Sequence, residues 1–88
     1  SLNLSKNNIT DAGAKALAGS SSLGKLKKLD LNFNRIGDEG ASAIARSPNF
    51  ANLESLKLGQ NKIGTEGAQA LNESKTLQNL IHPIFGFY

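Results

Sequence analysis

The stretch from Leu26 to Ile44, LKKLDLNFNRIGDEGASAI, decides the fold, because its pattern occurs once before it and once after it at a constant interval. Leu4, Leu31 and Leu58 lie 27 residues apart, as do Asn7, Asn34 and Asn61. Ile9, Ile36 and Ile63 keep the spacing, and so do Gly13, Gly40 and Gly67 and the alanines that follow them. A fixed period of about 20 to 50 residues identifies a stacked repeat before any local propensity is weighed. The chain therefore reads as one domain over 1–88, with units near 1–25, 26–52 and 53–79 and a degenerate segment at 80–88. It opens at Ser1 inside a unit and without an initiator Met, which suggests a piece of a longer solenoid.

Within each unit the order is strand, ascending loop, helix and return loop. In Leu29-Asp30-Leu31 the apolar residues alternate with a polar one, so Leu29 and Leu31 point inward while Asp30 and Asn32 face out. Leu2 and Leu4, and Leu56 and Leu58, repeat the arrangement. Parallel strands joined by helical crossovers follow, since consecutive strands point the same way. Asn7, Asn34 and Asn61 sit where the chain leaves the sheet, and an amide can satisfy the backbone groups that a turn exposes. Asp11, Asp38 and Thr65 read as caps of the helices they begin, with Glu39 and Glu66 beside the positive helix ends.

Glycine inside a helix costs about 1 kcal/mol relative to Ala. Its recurrence at Gly13, Gly40 and Gly67 predicts a close approach of each helix to its own loop and to its neighbour. Ala14, Ala16 and Leu17, with Ala41, Ala43 and Ile44 and then Ala68, Ala70 and Leu71, form the expected inward stripe. The return loops begin at Ser20, Ser47 and Ser74, and Leu23, Phe50 and Leu77 plug the bottom of the core. At the end of the chain Pro83 suits a blunted last strand. Ile84, Phe85, Phe87 and Tyr88 would either cap the core or pair with another copy through an open solenoid end, and His82 reads as a loop residue.

The pattern LxxLxLxxNxL is matched by Leu26, Leu29, Leu31, Asn34 and Ile36, and again by Leu53, Leu56, Leu58, Asn61 and Ile63. At these residues the chain resembles the leucine-rich repeat family. IGDEGASAI and IGTEGAQAL resemble the helical half of its ribonuclease-inhibitor-like class. The resemblance implies an α/β solenoid of right-handed β-α repeats, with a parallel sheet on the concave face and helices on the convex face. It also implies that the asparagine column is a structural ladder. The function implied is a non-catalytic protein-protein interaction scaffold, binding through the concave sheet face and loop rim. The alternative is the regulatory or substrate-recruiting part of a larger effector or GTPase-activating protein.

Composition narrows the remaining classes. Ten Lys and Arg against seven Asp and Glu give +3, and no block of like charge exceeds two residues. Charges spread so evenly along the chain read as a solvated surface rather than the footprint of an acidic partner or nucleic acid. Without cysteine there is no disulfide framework, which fits an intracellular, cytoplasmic chain, a secreted effector being the other reading. No apolar run has membrane length, and no catalytic, metal-ligand or phosphate-loop set is present, so neither enzyme chemistry nor a cofactor is expected.

The residues left over from the repeat are the candidates for recognition. Reading columns across units gives Ser1, Lys28, Ser55; Asn3, Asp30, Lys57; Ser5, Asn32, Gly59; and Lys6, Phe33, Gln60, with Asn8, Arg35 and Lys62 on the rim. These positions vary while their neighbours obey the pattern, so a partner code can be written there. The expected contacts to a protein partner are Lys28, Asp30, Asn32, Phe33, Arg35, Lys57 and Lys62, with Phe33 beside Arg35 as the anchor. No small-molecule substrate or membrane is expected. Three rim cations and one Phe make a thin case for nucleic acid.

Overall fold

The inner-facing leucines of each unit need a partner surface that one unit cannot supply, and stacking provides it. In the computed structural model, which describes residues 1–81, strands β1 (Leu2–Asn3), β2 (Lys28–Asp30) and β3 (Ser55–Lys57) form one parallel sheet in sequential order. Leu2 pairs with Leu29 and Leu29 with Leu56, so the register equals the repeat period. Helices α1 (Asp11–Ala18), α2 (Asp38–Arg46) and α3 (Thr65–Asn72) alternate with the strands and stack beside one another. The segment from Ile84 to Tyr88 lies outside the described residues, as do His82 and Pro83.

The strands are short, yet the ladder continues beyond them. The N–H groups of Leu31 and Phe33 donate to Lys57 O and Gly59 O at 2.8 and 2.9 Å. In the ascending loops Arg35 donates to Ile9 O and Lys62 to Ile36 O, both at 2.8 Å. Glu54 N–H reaches Lys27 O at 2.7 Å, and Ile81 N–H reaches Glu54 O at 2.9 Å in the same relation one unit on. Leu29, Leu31, Ile36, Ile44, Phe50, Leu53 and Leu58 are fully buried, each contributing about 1.5–3 kcal/mol on leaving water. Leu2, Leu4 and Ile9 are half-buried and pack against this core.

Asn34 bridges two units. Its Oδ1 accepts the N–H groups of Asn7 and Ile9 at 2.9 and 3.0 Å, while its Nδ2 donates to Leu4 O and Leu31 O at 3.0 Å. Asn61 repeats this, accepting Ile36 N–H at 3.0 Å and donating to Leu31 O at 2.9 Å and Leu58 O at 3.1 Å. A second ladder at the lower edge escaped the repeat reading: Asn52 donates to Gly24 O and Asn79 to Ala51 O, both at 2.8 Å. The return-loop serines tie down helix ends, Ser47 Oγ donating to Ala18 O and Ser74 Oγ to Ala45 O.

Two expectations about the helices are corrected. Asp11 and Asp38 begin α1 and α2 but do not cap them; the N-cap positions are Thr10, Gly37 and Gly64, and none makes a side-chain cap bond. Instead Asp11 Oδ1 accepts Gly37 N–H and Gly40 N–H of the next unit at 2.7 and 2.9 Å, and Asp38 Oδ1 accepts Gly64 N–H and Gly67 N–H at 2.7 and 3.0 Å. Parallel stacking brings each carboxylate to the positive end of the following helix, where it serves two amides that have no partner within that helix. Thr65 stands at the matching place on α3 and makes no cap bond.

The alanine stripe is also shifted. Ala16 faces solvent and Ala43 and Ala70 are half-buried, whereas Ala14, Ala18, Ala41 and Ala45 are buried. Residues four apart share a helix face, and Ala14 and Ala41 on it stand against Gly40 and Gly67 of the following helix, while Ile44 and Leu71 join the buried core. The glycine expectation is met: a Cβ on Gly40 would stand 2.7 Å from Ile36 Cγ2 in its own loop and 2.7 Å from Asp11 Oδ1 in the neighbour.

Candidate functional site

The ladder aligns the unrepeated residues in rows across the sheet face and the loops above it. Lys28 and Lys57 are exposed on β2 and β3, and with Asn3, Asp30 and Ser55 they line an open depression of about 390 Å³. Asp30 and Asn32 are half-buried and partly committed to the scaffold. Asp30 Oδ1 accepts Asn32 N–H at 3.0 Å, closing the turn after the strand as Asn3 does for Ser5 N–H at 3.0 Å. Lys57 occupies the same place in the third unit and cannot accept. There Gly59 N–H donates at 2.7 Å to Asn32 Oδ1 of the preceding unit. Asn32 thus supplies the acceptor that Lys57 lacks, a dependence that a column of letters does not reveal.

Just above the strands, Lys6, Phe33 and Gln60 have φ of 61°, 58° and 57°. The recurrence shows that the loop itself demands a left-handed residue at this place, a conformation uncommon for anything but Gly or Asn and rarest for bulky side chains. Phe33 nevertheless occupies it with 54% of its surface exposed. Strain of this sort, about 1–3 kcal/mol, is retained where the surrounding structure imposes it and often marks a functional position. Lys6 Nζ lies over the ring at 5.7 Å from its centroid, a cation–π contact across adjacent units. Arg35 and Lys62 are exposed on the rim, stacked by the loop ladder.

Charge that is even along the chain is uneven on its surface. Lys6, Lys28, Arg35, Lys57 and Lys62 share the sheet face and rim with Asp30, a net of +4, while the other five bases and six acids leave the rest of the molecule at −1. Among the described residues the ion pairs are Lys15–Glu39 at 3.2 Å and Lys27–Glu54 at 3.3 Å, neither involving a cation of this face. Stacking thus gathers on one face cations that the sequence scatters.

Among the described residues no group of three or more His, Cys, Asp or Glu is placed to hold a metal ion, and no helix is long and apolar enough to cross a membrane. Every buried side-chain nitrogen and oxygen among them has a hydrogen-bond partner, so no polar group is left aimed into a cavity. A sequence model of the leucine-rich repeat matches residues 1–18, 25–45 and 51–71, more than half of the chain. The chain belongs to the leucine-rich repeat family. No curated protein and no solved structure matches it. Leucine-rich repeat domains are generally protein-interaction scaffolds and typically non-catalytic.

Proposed function

We propose that this leucine-rich repeat protein binds a protein partner through its concave sheet face and loop rim, with Lys28, Phe33, Arg35, Lys57 and Lys62 as direct contacts. The observation that carries the reading is Phe33, a half-exposed aromatic held at a φ that favours glycine. Aromatic and Arg side chains dominate the energetics of protein interfaces, so an exposed Phe near an exposed Arg is suited to anchor one. Asp30 and Asn32 act one step back, shaping the loops that present these side chains. The eight- and nine-residue helices, one per unit, support placing the repeats in the ribonuclease-inhibitor-like class.

Site-specific photo-crosslinking tests the proposal. A photoreactive residue at Phe33 or Lys57 is expected to give protein adducts in an extract of the source cells, and one at Arg46 on the helix side is not. The adducts should disappear when Arg35→Glu and Lys62→Glu are combined, with an unchanged circular dichroism spectrum. Adducts confined to position 46, or none from any position, would remove the face as the binding site.

A further inference from the structure

We infer that the segment seated on this face is an acidic, extended stretch of polypeptide, with Asp or Glu at alternate positions. The inference rests on the reading of the face as a protein-binding site and adds the chemistry of the partner. Its foundation is the unpaired +4 of the face against −1 elsewhere. Among the described residues none of these cations is in an ion pair, so they offer steering and specificity to an acidic partner without first breaking an internal pair.

The spacing of the lysines supplies the second argument. The register pairs Lys28 with Ser55 and Asp30 with Lys57, so Lys57 lies one strand across and two residues along from Lys28. With strands about 4.8 Å apart and a rise of about 3.3 Å per residue, their Cα atoms are separated by roughly 8 Å. Side chains on one face of an extended peptide recur about every 7 Å, so carboxylates two positions apart can each meet one lysine. Arg35 and Lys62 extend the cationic row onto the rim, and Phe33 offers an apolar contact beside it.

Asp30 decides against a polynucleotide. It lies next to Lys57 across the ladder and would face a phosphate in any chain that carries one on every unit. A peptide can set a neutral or donor side chain there instead. Phe33 is also the one large exposed aromatic among the described residues, too few for a stacking platform.

Fluorescence anisotropy with the full 88-residue chain tests this. The probes are a labelled peptide alternating Asp or Glu with Ser and carrying one Leu, its counterpart with Lys for each acid, and a single-stranded oligonucleotide of similar length. The acidic peptide should bind and the basic one should not. Raising salt from about 50 to about 300 mM should weaken the binding roughly tenfold. Lys28→Glu with Lys57→Glu should abolish it, whereas Arg46→Glu with Lys75→Glu should leave at least half the affinity; circular dichroism confirms that each variant is folded. Absence of binding at low salt, equal loss in the helix-side variant, or tighter binding of the oligonucleotide each overturns the acidic-segment inference. If crosslinks still form from positions 33 and 57, the failure is of the partner's chemistry alone. If crosslinks are confined to position 46, the face itself is refuted.

Discussion

Replacing Gly40 by Ala should destabilise this protein although it improves the helix on intrinsic grounds. The added Cβ would stand 2.7 Å from Asp11 Oδ1, 2.7 Å from Ile36 Cγ2 and 3.0 Å from Ala14 Cβ. Carbon atoms sit comfortably at about 3.5–4.0 Å, so α2 must retreat by most of an ångström. Retreat stretches the bonds that Gly37 and Gly40 donate to Asp11 at 2.7 and 2.9 Å. Overpacking costs about 1–3 kcal/mol and a weakened hydrogen bond to a charged group up to about 1.5–3 kcal/mol, against about 1 kcal/mol gained in helix propensity. A net loss of about 2–4 kcal/mol corresponds to a fall in Tm of roughly 10–30 °C for a domain of this size. Gly13→Ala is the internal control. Its Cβ would meet Ile9 alone, with Cγ2 at 2.8 Å, and that half-buried side chain can turn away. Thermal unfolding followed by far-ultraviolet circular dichroism should show a large drop for Gly40→Ala and a change under about 5 °C for Gly13→Ala. Equal shifts in the two variants would refute the argument that close approach of neighbouring helices selects glycine.

Asp38→Ala should cost about 1–3 kcal/mol by leaving Gly64 and Gly67 N–H without their acceptor. Amide exchange should accelerate at Gly64 and Gly67, at the start of α3, and not at the start of α2; the reverse pattern would restore the own-helix cap. Asn34→Leu removes the acceptor of Asn7 and Ile9 N–H together with the donor to Leu4 O and Leu31 O. A fall in Tm of at least several degrees is expected, and an unchanged midpoint would show that the ladder contributes nothing. Phe33→Gly should raise stability by about 1 kcal/mol in chemical denaturation by releasing the left-handed strain, while weakening partner crosslinking from position 57. A stability loss would mean that the ring is packed for the fold and not presented for contact.

The candidate face was legible in part. Lys28, Phe33, Arg35, Lys57 and Lys62 could be named from the sequence because they break the repeat where Leu29, Leu31 and Asn34 obey it, and strand alternation turns them outward. The roles of Asp30 and Asn32 could not, because each depends on which backbone amide the turn presents. For Asn32 that amide belongs to Gly59, 27 residues away. The cation over Phe33 was not legible for a similar reason: Lys6 comes one unit earlier and reaches the ring through stacking.

Sequence alone determined the period, the inward leucines, the asparagine column and the need for glycine at Gly40, since strand and helix periodicities are local and a constant interval multiplies their signal. Only the tertiary structure decided that Asp11 and Asp38 cap the following helix, that Ala18 and Ala45 rather than Ala16 and Ala43 are buried, and that five cations share one face. The carboxylate bonds span 26 and 29 residues, and the other outcomes depend on which sides of successive units meet. The stretch from Leu26 to Ile44 specifies a unit, and its polar side chains find most of their partners only once units are stacked.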